Sequence, residues 1–420
     1  MKPGMKFRSI ALFRQLGPGL VTGAADDDPS GIATYSQAGA QFGFQLLWTM
    51  VLTYPLMVAI QLVAARIGRV TGNGLARNMR EIMPRWLVIA LVGILFVANT
   101  INIGADIAAM GDAAELMVGS GGHAFTIMFA VGSLLLQLFV PYRRYSSLLK
   151  WLTLVLLSYL AVLLTVKIDW VAALHGLVVP TIPSKTAVVT IVAIFGTTIS
   201  PYLFFWQSAQ EVEAINNDPD QTCLRDSPQY AKAQFSRLRI DTLAGMAISN
   251  VVAIAIVIGT ATTLNQGSGT QIDSAADAAK ALAPVAGRFA SVIFSLGIIG
   301  TGLLAVPVLA GSTGYAVGEA HGWKTGLENK PLQAIGFYSV IAVSTLLGIG
   351  IDWSPLDPFK ALFWSAVLNG VAAVPLMAAM MMVVTRRQLM GGFIAGRSLF
   401  ALGWTATAVM GVAAVAIALA

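Results

Sequence analysis

The sequence predicts an all-α membrane protein with eleven transmembrane helices, the first ten arranged as two inverted sets of five. Three observations predict it. Hydrophobic residues make up 56% of the 420 residues and charged residues only 11%, with a mean hydropathy of +0.75; a soluble domain carries roughly 25% charged residues, which it needs to face water. Ten apolar stretches reach the roughly 20 residues that a membrane-spanning helix requires. Two spans, at corresponding places in the two halves, are interrupted by proline beside small polar residues.

The ten apolar stretches lie near 44–65, 86–118, 124–140, 148–167, 187–210, 240–263, 289–317, 332–350, 361–384 and 398–419. An eleventh, about 12–43, carries Asp26-Asp27-Asp28-Pro29-Ser30-Gly31 in its middle. The basic residues decide that it spans. With eleven crossings and the N-terminus in the cytoplasm, 21 of the 26 Lys and Arg fall on the cytoplasmic side, leaving Lys167, Lys185, Lys280, Arg288 and Lys360 outside. That is the positive-inside bias; removing the first span would invert it. The net charge of +6 is thereby a topology signal, and the loops are too short for a nucleic-acid-reading domain. A single transmembrane domain over 1–420 is expected, with repeat one at about 12–167, repeat two at about 187–384 and an extra helix at about 398–419. The expected location is the cell membrane, with a cytoplasmic N-terminus, an extracytoplasmic C-terminus and no cleavable signal peptide. A monomer in the bilayer is expected. One cysteine, Cys223, excludes a disulfide framework, and three histidines, His123, His175 and His321, read as loop residues.

The breaks carry the functional reading. The first span contains Asp28-Pro29-Ser30-Gly31 and the sixth Gly196-Thr197-Thr198-Ile199-Ser200-Pro201. Proline removes a donor, clashes with the preceding turn and pushes the residue before it out of helical conformation. Unpaired backbone inside a bilayer is tolerated only where protein buries it or a cavity is lined by it. Interrupted helices at matching places in two halves point to a transport site at the midplane, where the first half-helix presents the negative end of its dipole to a cation.

Acids within the spans sharpen this, since each costs at least ~2.5–3.5 kcal/mol at the bilayer centre. Asp28 stands at the break and is the expected direct ligand. Asp26 and Asp27 point elsewhere around the helix and read as lining an access vestibule, or as a solvated helix end. In the third span Asp106 lies deep, with Asn99 and Asn102 seven and four residues before it, while Asp112 and Glu115 read as solvated. After the second break, Gln207 and Gln210 read as pathway residues, Glu211 and Glu213 as interfacial. Asn369 in the tenth span reads as a pathway residue or an interhelical hydrogen bond.

These residues carry a resemblance. Gly17-Pro18-Gly19, Asp28-Pro29-Ser30-Gly31 and Ala38-Gly39-Ala40-Gln41-Phe42-Gly43 resemble the first-helix signature of the Nramp divalent-metal transporters, and the likeness extends over most of the chain. It implies the LeuT-like fold. Classical members coordinate soft transition metals with the Asp and Asn of an Asp-Pro-Gly-Asn motif and the methionine of a Met-Pro-His motif. Here Asp28 is kept, but the Asn position is Gly31, the Met position Ser200 and the next His position Tyr202. A second His position reads Gln207. The third-helix Asp matches Asp106, whereas its companion Glu position is Ala109, and the ninth span lacks the family's Arg.

That pattern is similar to the Nramp-related magnesium transporters. A thioether selects soft metals; Ser200 removes that selection, and Gly31 widens the site. Magnesium keeps several waters and uses one or two carboxylates. The resemblance thus implies a partly hydrated Mg²⁺, with Mn²⁺ also carried, held by Asp28 beside Gly31, by hydroxyls of Thr198 and Ser200 and by carbonyls near Gly196 and Thr197. Ser200 has an alternative role, hydrogen-bonding the broken backbone. With the family's proton-route residues reduced to Asp106, uncoupled uptake is expected; a dication gains about 4.6 kcal/mol from 100 mV. No cofactor is expected beyond the transported ion. Alternatives are a proton-coupled Nramp-type Mn²⁺ carrier, a carrier of an organic cation or amino acid on the same fold, and an intramembrane aspartyl protease, which Asp28 and Asp106 alone support weakly. The loop 214–236 reads as polar with a short interfacial helix, and 264–287 as solvated. The glycines of the eighth span, Gly297, Gly300, Gly302, Gly311 and Gly314, read as permitting close helix contact.

Overall fold

The computed structural model describes residues 22–23, 25–140, 156–218, 221–265, 271–272, 274–355 and 357–419. Every regular element among them is helical: α1 (Pro29–Phe42), α2 (Trp48–Thr71), the short α3 (Leu75–Ile82), α4 (Arg85–Val118), α5 (Gly122–Phe139), α6 (Leu157–Thr165), α7 (Trp170–Val178), α8 (Lys185–Thr198), α9 (Pro201–Asn216), α10 (Ala231–Thr263), α11 (Ala290–His321), α12 (Ile335–Ile349), α13 (Pro358–Thr385) and α14 (Arg397–Leu419). Residues 22–23 and 25–26 are also helical and precede α1.

Among the described residues, nine helical segments are long and apolar enough to cross a membrane. They are the expected spans two to four and six to eleven. The other two appear as α1 and α6, whose expected starts at about 12 and 148 lie in part outside the described residues, as do Gly17-Pro18-Gly19 and Asp273. Apolar residues such as Val51, Ile89, Val97, Val131, Ile248 and Leu346 are exposed around the outside, which suits a lipid-facing surface.

The breaks fall where the prolines put them. Pro29 and Pro201 occupy the first turn of α1 and α9, where a missing N–H costs nothing. The residues before them are extended, Asp28 at φ −67°, ψ 170° and Ser200 at φ −70°, ψ 130°. Proline alone does not set the breaks, because Pro55, Pro307 and Pro375 sit inside continuous helices. The difference is the polar residue that precedes. Asp28 accepts the Gly31 N–H as an N-cap, and Ser200 returns its hydroxyl to the carbonyls of Gly196 and Thr197, both at 2.8 Å.

Packing follows the two-fold pattern of an inverted repeat. The long helices α4 and α11 pair at the centre; α1 lies on α10 as α9 lies on α2. The glycines of α11 meet side chains from three neighbours: a Cβ at Gly302 would stand 2.4 Å from Met110 Sδ, one at Gly311 2.8 Å from Trp206, and one at Gly314 2.9 Å from Phe337. Backbones approach closely where α8 lies on α13: a Cβ on Gly196 would lie 1.9 Å from the Ala366 carbonyl oxygen and 2.4 Å from Gly370 N.

The two ends of the bundle are distinguishable. Arg66 donates to the Phe393 carbonyl, Arg80 to that of Glu319, and Glu319 accepts from Ala76 and Arg77 N–H; these loops share one end, hereafter the basic end. Trp48 to Thr181, Asn265 to Ala40 and His123 to Asp352 join loops at the opposite end.

Several local expectations need correction. The helices α9 and α10 run further than their apolar cores, so the loop expected over 214–236 shrinks, because polar residues at a helix end remain helical in the interface. The 264–287 segment is not simply solvated: a short helix at Ala275–Ala279 and the 3-10 turn Lys280–Leu282 that follows it bury Ala278, Ala279, Ala281 and Leu282. Each histidine stands in a helix rather than a loop, although all three are exposed.

Gly196→Ala is expected to lower the apparent melting temperature in detergent by several degrees, reflecting about 1–3 kcal/mol of overpacking. Gly93→Ala on the exposed side of α4, where a Cβ meets nothing within 4 Å, is expected to leave it unchanged or raise it. Equal melting of both variants would remove the α8–α13 contact as a fixed point of the fold.

Candidate metal site

The site is built where the two breaks face one another. A Cβ added to Gly31 would lie 3.1 Å from Thr197 Oγ1, 3.3 Å from Tyr35 Cε2 and 3.5 Å from the Asp26 carbonyl oxygen. On the other side of the breaks, Tyr202 donates its hydroxyl to the Ala25 carbonyl at 3.0 Å, and Thr22 donates to Gln207 Oε1 at 2.6 Å. These contacts hold the segment preceding α1 against α9, with Tyr202 and Gln207 buried.

Asp28 divides its two oxygens between two tasks. Its Oδ1 accepts from Ser30 Oγ at 2.7 Å and from Gly31 N at 2.8 Å, which caps α1. Its Oδ2 accepts from Asn102 Nδ2 at 3.1 Å. Asn102 and Asp106 are one turn apart on α4, so they present to the same side; the same Nδ2 lies 3.5 Å from Asp106 Oδ2. Asn369 of α13 donates to Asn102 Oδ1 at 3.3 Å. Asp28, Asn102, Asp106 and Asn369 therefore form one chain of contacts across α1, α4 and α13. Asn99 belongs elsewhere: its amide donates to Leu309 O, Ser312 Oγ and Thr313 Oγ1 and fastens α4 to α11.

Asp26 and Asp27 lie beside this chain. Ser249 of α10 donates to Asp26 Oδ2 at 2.7 Å and is 3.1 Å from Asp27 Oδ1. Asp26, Asp28 and Asp106 are no more than 1% exposed and Asp27 only 4%, so in this conformation none of them opens to solvent. None of the four has a Lys, Arg or His within ion-pair distance among the described residues. The oxygens Asp26 Oδ1, Asp106 Oδ1 and Asn369 Oδ1 are buried without a hydrogen-bond donor among those residues. Buried carboxylates lacking a countercharge are costly, and a cation bound among them relieves that cost. The donors converging here are carboxylate and amide oxygens, which suit hard cations. No group of three or more His, Cys, Asp and Glu among the described residues is disposed to hold an ion on its own. Amides and backbone must complete any coordination shell, and turning the Asn102 amide over exchanges its donor for an acceptor.

The helix-six residues occupy the other wall. Gly196 meets Gly370, next to Asn369, and its carbonyl accepts from Ser200 Oγ. Thr198 Oγ1 donates back to Ile194 O at 2.7 Å. The hydroxyl hydrogens of Thr198 and Ser200 are thus used on backbone carbonyls, leaving only oxygen lone pairs for an ion. Gln210 is half-buried and bonded to none of the other candidate residues.

Several features escaped the reading of the sequence. Ser249 is one hydroxyl in an apolar span, with only its neighbour Asn250 to mark the place. Met110 follows Asp106 by one turn, and its sulfur meets α11 at Gly302, where Pro29 Cγ also approaches to 3.4 Å of the same Cβ position. Glu211 is buried rather than interfacial and pairs with Arg237 of α10 at 2.5 Å. Glu213 is likewise enclosed, accepting from Tyr315 at 2.7 Å and from Leu327 N–H at 3.0 Å. Asp112 and Glu115, read as solvated, are half-buried, and Glu115 accepts the Gly122 N–H.

Comparison with known proteins agrees with this architecture. Residues 19–420 match the family described as natural resistance-associated macrophage protein-like, Nramp. A divalent metal cation transporter MntH of Acidiphilium cryptum is 30% identical over 406 residues, covering 89% of this chain and 83% of its own length. MntH of Klebsiella pneumoniae is 26% identical over 404 residues, covering 94% and 91%. A manganese transporter of Eremococcus coleocola superposes with a TM-score of 0.78 at 20% identity, covering 99% of this chain and 88% of that one. The nucleobase-cation-symport-1 transporter MHP1 superposes at 0.55 with 12% identity, covering 96% and 92%. The fold is the LeuT-like one, and the relatives are named as transporters, not enzymes.

Asn102→Ala removes the amide that bridges Asp28, Asp106 and Asn369. It is expected to weaken divalent-cation binding about 10–100-fold, measured by titration calorimetry on the purified protein. Unchanged affinity would show that the bridge does not organise the site.

Proposed function

Because the chain belongs to the Nramp family, its match running over residues 19–420, we propose that it carries hard divalent cations across the cell membrane, chiefly Mg²⁺ and also Mn²⁺, as partly hydrated ions and without proton coupling. It is a multi-pass divalent-metal transporter; the choice of ion and the energetics are the proposal. One observation supports the site more than any other. Asp28 and Asp106, joined through Asn102 at the break of the first span, are buried with no cationic side chain beside them among the described residues.

The choice of a hard ion rests on the donors. Neither break contains a sulfur or an imidazole, so Asp28, Gly31, Gly196, Thr197, Thr198 and Ser200 offer oxygen only. Mg²⁺ dehydrates reluctantly and binds through one or two carboxylates with its waters, which fits a site where the hydroxyls of Thr198 and Ser200 are already engaged by backbone and a water layer completes the shell. Asp26, Asp27, Tyr202, Gln207, Gln210 and Asn369 then belong to the path on either side. The charge bias puts the N-terminus in the cytoplasm, and inward flow of a dication down a negative-inside potential needs no second ion.

A second reading is a proton-coupled carrier of Mn²⁺ or other transition metals. The relatives named MntH favour it, as does Met110, whose sulfur comes to the same point of α11 as Pro29 and offers a soft ligand within one turn of Asp106.

Proteoliposomes loaded with a pH dye separate the two. Mg²⁺ entry without acidification, abolished in Asp28→Ala, is the expected result; proton influx that tracks metal influx would refute the uncoupled mechanism. Gly31→Asn with Ser200→Met is expected to raise Cd²⁺ and Mn²⁺ flux relative to Mg²⁺ by about tenfold, on the preference of thioether for soft metals. Even a Cβ at Gly31 requires Thr197 Oγ1 and Tyr35 to give by a few tenths of an ångström, so folding of the double variant is checked by its melting temperature. Met110→Ile is expected to leave the ion preference alone; a selective loss of Mn²⁺ flux would favour the second reading.

A further inference from the structure

We propose that a groove between α2, α10 and α14 binds one acidic phospholipid of the leaflet at the basic end, its phosphate held by Arg66 and Arg239. The groove, of about 460 Å³, is walled by Val58 and Arg66 from α2, Phe235, Arg239 and Leu243 from α10, and Leu402 from α14. It lies on the outside of the bundle, away from the ion site.

Its two ends differ in chemistry. At the basic end Arg66 stacks on the Phe235 ring, 4.1 Å from its centroid, and gives its Nε–H to the Phe393 carbonyl. That fixes the guanidinium while its two Nη groups keep their hydrogens for a ligand, since no described residue accepts from them. Arg239 is exposed and has no ion-pair partner among the described residues. No carboxylate lines the groove. Two guanidinium groups facing one recess match a phosphodiester, and their second positive charge disfavours a headgroup that carries its own ammonium.

Away from the arginines the lining is aliphatic and ends where Tyr54 donates to the Leu243 carbonyl at 3.2 Å. Tyr54 and Arg66 are twelve residues apart on α2, about 18 Å at the rise of a helix. Half the hydrocarbon thickness of a bilayer is about 15 Å. The apolar part therefore has the length of one acyl chain with the charges at headgroup level, which a water-soluble phosphate would not fill. Basic pockets between helices at the headgroup level bind anionic lipid in this way.

Native mass spectrometry of the full-length protein in detergent tests the proposal, with phosphatidylglycerol and phosphatidylcholine of identical chains titrated separately. Phosphatidylglycerol is expected to bind roughly tenfold more tightly. Arg239→Glu is expected to abolish that preference without touching a buried residue; Arg66→Ala is expected to do the same, with Arg66→Lys keeping part of it. Equal binding of the two lipids by the unmodified protein, an unchanged preference in Arg239→Glu, or displacement of the lipid by glycerol 3-phosphate at a matching concentration would each overturn it.

Discussion

Acidic side chains enclosed inside a bilayer without a countercharge among the described residues are the constraint on which this structure depends. Asp26, Asp27, Asp28 and Asp106 are all enclosed, and among the described residues no basic side chain reaches them. A bundle evolved for stability alone would place an arginine there or dispense with the acids, since an uncompensated buried carboxylate costs several kcal/mol. Most basic residues are instead assigned by the sequence to one side of the membrane, and there Arg237 compensates Glu211. The interior is thereby left attractive to a cation that comes and goes.

The breaks and the acids depend on each other. Pro29 and Pro201 end one half-helix and open the next, but the polar residue before each decides how the freed groups are used. Asp28 turns to the N–H groups of α1, whereas Ser200 turns back to the carbonyls of α8. Around them the helices approach closely only where side chains vanish. Gly196 lets α8 rest on Gly370 of α13, which brings Asn369 within reach of Asn102. A contact between backbones thus positions one end of the polar chain.

Much of this was legible in the sequence because it is local. Composition, basic-residue bias and the two proline-centred motifs identify the spans and the breaks, and the Asn102–Asp106 spacing places both residues on one face of α4. What was not legible depends on distant residues. Ser249 meets Asp26 across more than two hundred residues, and only its neighbour Asn250 marks it in the chain. Glu211 reads as an interfacial acid until Arg237, on another helix, is seen to bury it. Ser200 is a residue whose two uses, ligand or backbone partner, no spacing distinguishes; the fold gives its hydrogen to the backbone.

The division of labour within Asp28 has a consequence for ion discrimination. One carboxylate oxygen is occupied by Ser30 and the Gly31 amide, so an incoming ion can take only the other without disturbing α1. A small ion with octahedral preferences accepts such single-oxygen ligation, whereas Ca²⁺ often seeks both oxygens of a carboxylate. Seating a larger ion in that manner would uncap the helix, at a cost of about 0.5–2 kcal/mol. On the proposed ligation by Asp28, the turn that starts the half-helix would act as a size filter, set by backbone geometry rather than by the width of a pore.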